Sequence, residues 1–515
     1  MADTPHTHPS LDDPVVGALS ESVGGPIGER ATRHPWWTPL RVILALTALT
    51  FALGMVQKST CYATSWQDGD LRYVHMCYSD LPYLYTGRGF AELNWPYDDD
   101  SQVRERYAVM EYPVGISYWA WGTAWVTHWV SGSPDISPRY DQPADSLAGD
   151  PAIVKEMKTF VVVNALGFAL LALISSAFLV RVNPGRPWDA AGFALAPPLA
   201  LTGLINWDMV PVVLVAGALW SWARGRPFLT GVLIGLGTAA KLYPLFLLGG
   251  ILVICWRRRR WRDFAVTTVM AALAWVVANA PAYLTGPAEW KVFWTFNSER
   301  SADLGSIWMV IDQAFDLGIT AHTINLGSWA FFVVWCAGVL ILGLGAPQTP
   351  RLAQLGFLIV AGFLLVNKVY SPQYVLWLLP LAALARPRWR DLLVWFAGEM
   401  FYFASVWWYL GGILEPAGGG DVGFYWLAIV VRIAAQLYLV GMVVRDIRRP
   451  WHDPVLTDAG SDGDDAVERG GGEPDADLDL VADRRDAGSL GEEEHGRLHV
   501  GGLREQSGLA VDVER

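Results

Sequence analysis

Residues 228–255 read FLTGVLIGLGTAAKLYPLFLLGGILVIC, and RRRRWR follows at 257–262. A single membrane-spanning helix needs about 20 apolar residues, because it rises about 1.5 Å per residue across a hydrocarbon core of about 30 Å. This run is too long for one crossing, and Lys241 and Pro244 interrupt it midway. A lysine at the centre of a span costs roughly 2.5–3.5 kcal/mol on insertion scales. The run is therefore expected to turn back at Lys241 as a helical hairpin whose arms are short, about 14 residues each.

Two other apolar runs have the same character, Ala190–Ala223 and Leu352–Ala385, each broken midway by polar residues. Six more read as single spans: Leu40–Val56, Thr159–Val180, Phe264–Tyr283, Gly327–Gly345, Leu392–Leu410 and Phe424–Val444. The short connectors RVNPGR (181–186), RGR (224–226), RRRRWR, PQTPR (347–351), RPRWR (386–390) and RDIRR (445–449) together carry 16 Arg. Basic connectors stay on the cytoplasmic side. About 12 spans place all six there, with both chain termini on that side and the protein multi-pass in a plasma membrane. That count requires Tyr112–Val130, an uncharged run, not to cross. Its Trp121, Trp125 and Trp129 recur every four residues as one helical stripe. Tryptophan favours the headgroup layer, so the segment is read as an interfacial helix on the outer leaflet. The fold class expected is an all-α polytopic membrane protein with a long first extracytoplasmic loop carrying that helix.

Composition agrees. Of 515 residues 53% are hydrophobic and only 17% charged, against about 25% charged in an ordinary soluble domain. The formal charge of −12 belongs to one end: Trp451–Arg515 holds 18 acidic and 6 basic residues, which leaves the rest neutral. The chain divides into a disordered preface (1–39), a transmembrane body (40–447, with the first outer loop at 57–158) and an acidic disordered tail (448–515). No signal peptide, nucleotide-cradling glycine loop or basic nucleic-acid surface is evident.

The chemistry is sought at the hairpin tips and in the first loop. The tips hold NWD (Asn206–Asp208), KLYP (Lys241–Pro244) and NKVYSPQY (Asn367–Tyr374, with Gln373). Lys241 and Lys368, with Lys291 and Arg300 in the loop 284–326, are isolated cations on a face otherwise poor in bases, a pattern that suits an anionic ligand such as a lipid phosphate. Snorkelling to headgroups is the competing explanation for a lone lysine. In the first loop Asp80 stands alone among aromatics in CYSDLPYLYTGRGF, as a general base or sugar-hydroxyl ligand would, and Glu111 precedes the Trp-rich helix. Asp98, Asp99 and Asp100 read as a solvated turn rather than a metal site, and no metal is assigned. Cys61 and Cys77 lie in the same loop, where a bridge and two free thiols are both open readings. Glu399 is either a buried helix contact or a cavity-lining group.

The strings YSDLPY (78–83), EYPVG (111–115), NWD, AAKLYP (239–244) and NKVYSPQYVLWLLP (367–380), in that order, resemble glycosyltransferase family 87. KLYP and KVYSPQYVLW also resemble the first mannosyltransferase of GPI-anchor synthesis. The resemblance covers about Val42–Val444. It implies a GT-C-like fold and transfer of a hexose, usually mannose, from a polyprenyl-phosphate sugar to an envelope glycolipid or polysaccharide on the outer face. No cofactor is implied beyond that donor. It also implies that Asp80 is the catalytic carboxylate. Lys241, Lys368 and Arg300 would then bind the donor phosphate, with Asp208, Gln373 and Glu111 as further substrate-binding candidates. The GPI enzyme has a second Asp where this chain has Pro82, so a single acid remains and an inverting, metal-independent mechanism is expected. The rivals are a lipid-linked-sugar transporter or flippase, and a non-catalytic protein of the same fold. Against transport stand the absence of paired repeats and the large first loop with its isolated acid.

Overall fold

The computed structural model describes residues 36–416 and 422–456, and every regular element among them is a helix. The principal helices are α1 (Pro39–Gln57), α2 (Leu81–Gly87), α3 (Val114–Val130), α4 (Pro151–Val180), α5 (Pro197–Thr202), α6 (Met209–Ala223), α7 (Pro227–Ala240), α8 (Leu247–Arg257) and α9 (Trp261–Thr285). They continue with α10 (Pro287–Glu299), α11 (Ala321–Gly345), α12 (Leu352–Leu365), α13 (Val375–Ala385), α14 (Trp389–Leu410) and α15 (Gly423–Arg448). Among them α1, α4, α9, α11 and α15 are long and apolar enough to cross a bilayer, and α6, α7, α8, α12 and α13 are apolar but shorter. The chain is thus an all-α protein of membrane type. Nearly all of the expected disordered preface and tail lies outside the described residues. The first residues after α15 are described and pack on the body: Arg351 and Gln354 both donate to Asp453 at 2.9 Å.

Local chemistry fixes where the long helices begin. Thr38 caps α1 and Asp150 caps α4, the latter accepting from Ala152 N at 2.7 Å, and a proline occupies the first turn of each. Both devices satisfy or remove amides that have no partner inside the helix.

Each of the three long apolar runs reverses at its polar interruption. At the first, α6 ends beside the connector from α4, with Arg224 donating to the Arg181 carbonyl. At the second, α7 starts where Thr267, near the start of α9, donates to the Pro227 carbonyl, and α8 ends only a few residues before α9. At the third, Arg351 before α12 donates to the carbonyls of Leu384 and Ala385 at the end of α13. The arms of the second hairpin splay. A Cβ on Gly231 or Gly235 would collide with the carbonyls of Thr267 and Ala271, so those glycines let α7 lie directly on α9. The other arm, α8, packs Gly250 against Leu352 and Leu355 of α12, and Arg257 donates to the carbonyls of Gly343 and Ala346 at the end of α11.

The first loop is a packed unit. Cys61 and Cys77 are joined by a disulfide. The Arg139 guanidinium bonds Glu156 and the Ala91 carbonyl, Tyr85 donates to Glu156 at 3.0 Å, and Arg106 bonds Glu92 at 2.7 Å. The Asp98–Asp100 run is a helix start: Asp98 accepts from Asp100 N and Asp100 accepts from Gln102 N. Helix α3 lies against α4 and α7, with Trp119 stacked on Phe168 and Gly115 touching Ala240, while Trp125 and Trp129 are exposed.

Candidate active site

The three reversals and the start of α2 meet at one place. Asp80 N donates to the Ile205 carbonyl at 2.8 Å and Ser79 Oγ to the Leu204 carbonyl at 2.8 Å, which straps the first loop to the Asn206–Asp208 tip. Asn206 Nδ2 then donates to Asp80 Oδ2 at 2.7 Å and to the Tyr112 hydroxyl at 2.6 Å, and that hydroxyl lies 3.4 Å from Asp80 Oδ2. Burial raises the Asp80 carboxyl above the ordinary aspartate range, opposed by hydrogen bonds from Tyr78 and Asn206 and by the charge of Lys241. A carboxylate held in that way is a better proton acceptor than an exposed one.

Lys241 ends α7. Its ammonium lies 3.6 Å from Asp208 Oδ1 and 4.9 Å from the centre of the Tyr112 ring, with the Tyr374 and Trp377 rings at 5.7 and 5.8 Å. Asp208 is fully buried; it accepts from Trp377 Nε1 at 2.7 Å, and its Oδ2 has no hydrogen-bond partner among the described residues. Asp208 therefore orients Lys241. At the third tip Lys368 donates to the carbonyl of Arg300 at 3.0 Å, and Arg300 pairs with Asp303.

A cavity of about 560 Å³ opens between these tips. Lys241, Lys368, Arg300, Gln373 and Glu111 line it, as do Asn206, Tyr112 and a wall of Trp294, Trp329, Phe332 and Phe363. Gln373 Oε1 is buried without a partner among the described residues, whereas Glu111 is held by Arg88 through bonds of 2.8 to 3.2 Å. Asp80 and Asp208 do not themselves line the cavity; each bonds or faces a residue that does. Among the described residues no three His, Cys, Asp or Glu side chains gather as a metal-binding group.

Three contributors were not singled out from sequence. Lys58, at the end of α1, is buried and donates to the Tyr78 carbonyl at 2.9 Å, while neighbouring Gln57 donates to the Met76 carbonyl at 2.7 Å. Burial pulls Lys58 down to about 7 against the opposing charge of Asp80. Tyr112 bridges Asp80 to the cavity. Arg432, fully buried in α15, pairs with Glu399 at 2.8 Å and donates to the carbonyls of Tyr370 and Ser371. Glu399 is thus a buried packing contact that supports the third tip through Arg432. An unpaired Arg in one apolar helix and a lone Glu in another was the readable signal for that pair.

The geometry defines a class: an all-α membrane protein in which helix breaks and one long loop enclose a cationic, aromatic-walled cavity beside a buried carboxylate. Residues 151–372, which include all three tips as far as Pro372, match glycosyltransferase family 87. The chain is also 24% identical over 283 residues to a polyprenol-phosphate-mannose-dependent α-(1-2)-phosphatidylinositol pentamannoside mannosyltransferase of Mycolicibacterium smegmatis. That match takes in 52% of this chain and 58% of the relative, so the chain spans little more than half the length of the curated relative it matches.

Proposed function

We propose that the chain is a membrane glycosyltransferase that moves a hexose, mannose by analogy with its relative, from a polyprenyl-phosphate donor to a glycolipid or polysaccharide acceptor. The observation that carries this reading is the convergence of Lys241, Lys368 and Arg300 on one cavity whose wall residues Asn206 and Tyr112 bond Asp80. A polyprenyl phosphate leaves as an anion and needs charge stabilisation rather than a proton. In this mechanism the cavity holds the donor with its phosphate on the cations and its first isoprenoid units against Trp329, Phe332 and Phe363. The acceptor hydroxyl lies on the first-loop side of Asp80, where Tyr73, Tyr78 and Tyr83 form a stacked row. Asp80 removes the hydroxyl proton and the oxygen attacks the anomeric carbon. The bond from that carbon to the phosphate oxygen breaks on the opposite face, its electron pair staying with the phosphate, so the configuration inverts. No step calls for a metal or a nucleotide. We place the site at the outer face of a plasma membrane, with the Arg-rich connectors and both termini in the cytoplasm.

The test is transfer of radiolabelled mannose from polyprenyl-phosphate mannose into a membrane glycolipid extract by the purified chain, beside Asp80→Asn. Transfer by the intact chain and a loss of about 10²- to 10⁴-fold in the variant are expected. Equal transfer by both would remove Asp80 as the base, and no transfer from any polyprenyl-phosphate sugar would remove the enzyme reading. Cysteine-accessibility labelling at Gly132 and Gly185 checks the topology, with outside labelling expected at Gly132 alone.

A further inference from the structure

A second cavity, of about 310 Å³, opens at the other end of the helix bundle, where the Arg-rich connectors gather. It lies between the ends of α6, α8 and α13 and the start of α12. Its inner surface is apolar, with Leu219, Ile254, Leu352 and Leu384. Two guanidinium groups belong to its lining, Arg258 and Arg351. Arg258 is exposed and has no acidic partner among the described residues. Arg351 spends one edge on Asp453 and two carbonyls, but its buried Nε has no hydrogen-bond partner among the described residues. Asp189, the acid in the lining, is already held by Arg186 through two bonds of 3.0 Å. Trp188, Trp256, Trp261, Trp389 and Trp451 are all exposed at this end, as residues at headgroup depth are.

A pocket between helix ends that is greasy inside and cationic at its lining, at an end of the bundle rich in exposed tryptophan, matches a ligand with one delocalised negative charge above hydrocarbon. Guanidinium forks suit the paired oxygens of a phosphodiester, and basic pockets between membrane helices take anionic headgroups. We propose that this cavity binds the headgroup and glycerol of an anionic phospholipid, at a site distinct from the cavity at the helix breaks.

Native mass spectrometry of the full chain in detergent, titrated with phosphatidylglycerol or phosphatidylcholine of the same acyl chains, tests this. Selective retention of phosphatidylglycerol is expected. Arg258→Gln should weaken it about fivefold, the worth of one headgroup-level arginine. Ala223→Trp, which fills the cavity from its lining, should abolish it, while Arg262→Gln, a nearby exposed arginine outside the lining, should leave it unchanged. Equal retention of both lipids would overturn the proposal. So would an equal loss in Arg262→Gln, displacement by millimolar inorganic phosphate, or binding that appears only after residues 457–515 are removed.

Discussion

The two ends of the bundle use the same side chains to opposite purpose. At the Arg-rich end, Arg386 is fully buried between Asp391 and Asp446, with Asp391 at 2.8 Å, and Arg351 clasps Asp453 at 2.9 Å. The buried charge there is matched within the protein, and what is left over, such as Arg258, is exposed. At the helix breaks, Lys241 stands 3.6 Å from its acid and leans on aromatic faces, and Lys368 among the described residues donates to backbone carbonyls alone. Charge there is left short of its counterpart. A buried pair that is closed serves structure, because removing one partner strands the other in low dielectric. A cation left partly open has attraction remaining for an anion that arrives later.

This contrast can be broken by mutation. Arg386→Met should have the largest effect on stability, about 3–5 kcal/mol, because it removes the fully buried cation shared by Asp391 and Asp446; thermal unfolding in detergent reads it. Lys241→Met should lower transfer roughly a hundredfold, the usual scale for one electrostatic contact to a leaving anion. Adding Asp208→Asn should restore the stability lost with Lys241 and not the transfer, whereas a double variant with full activity would make Lys241 structural. Lys368→Gln should raise KM for the donor about tenfold with the unfolding temperature unchanged, since its partners are carbonyls that water can satisfy.

The smallest effect is a slope. Lys58 is pulled down to about 7, whereas the unfolded chain keeps a lysine near its ordinary value. From about pH 7 upward to that value the unfolded state binds the extra proton, so stability rises with pH across the window. Below it the cost of burying the charged amine is felt in full. Unfolding temperatures at pH 7 and 9 should rise in the intact chain and lose that increment in Lys58→Met.

Much of this was legible in the sequence, for a physical reason. A single Lys or Asp inside an apolar run must be explained by a break, and all three breaks fall at the tips read from sequence, Asn206–Asp208, Lys241–Pro244 and Asn367–Tyr374. Asp80 was visible because it stood alone. What stayed hidden depends on distance across the fold. Lys58 follows an apolar span and looks like any headgroup lysine, and nothing local shows that the first loop folds over it. Tyr112 reads as one aromatic among many until Asn206 is brought within 2.6 Å. The committed state of Glu111 required Arg88, 23 residues away, to be seen beside it.

The splay at Lys241 has a consequence for how such proteins diverge. One wall of the cavity, with Tyr112 and Lys241, belongs to the start of α3 and the end of α7, which meet at Gly115 and Ala240; the other, with Trp329, Phe332 and Phe363, belongs to α11 and α12. Inheritance can alter the second wall residue by residue while the grip of Asp208 on Lys241 stays intact. Descendants of one ancestor that differ in carrier lipid should therefore differ at 329, 332 and 363 first, and agree at 206, 208 and 241.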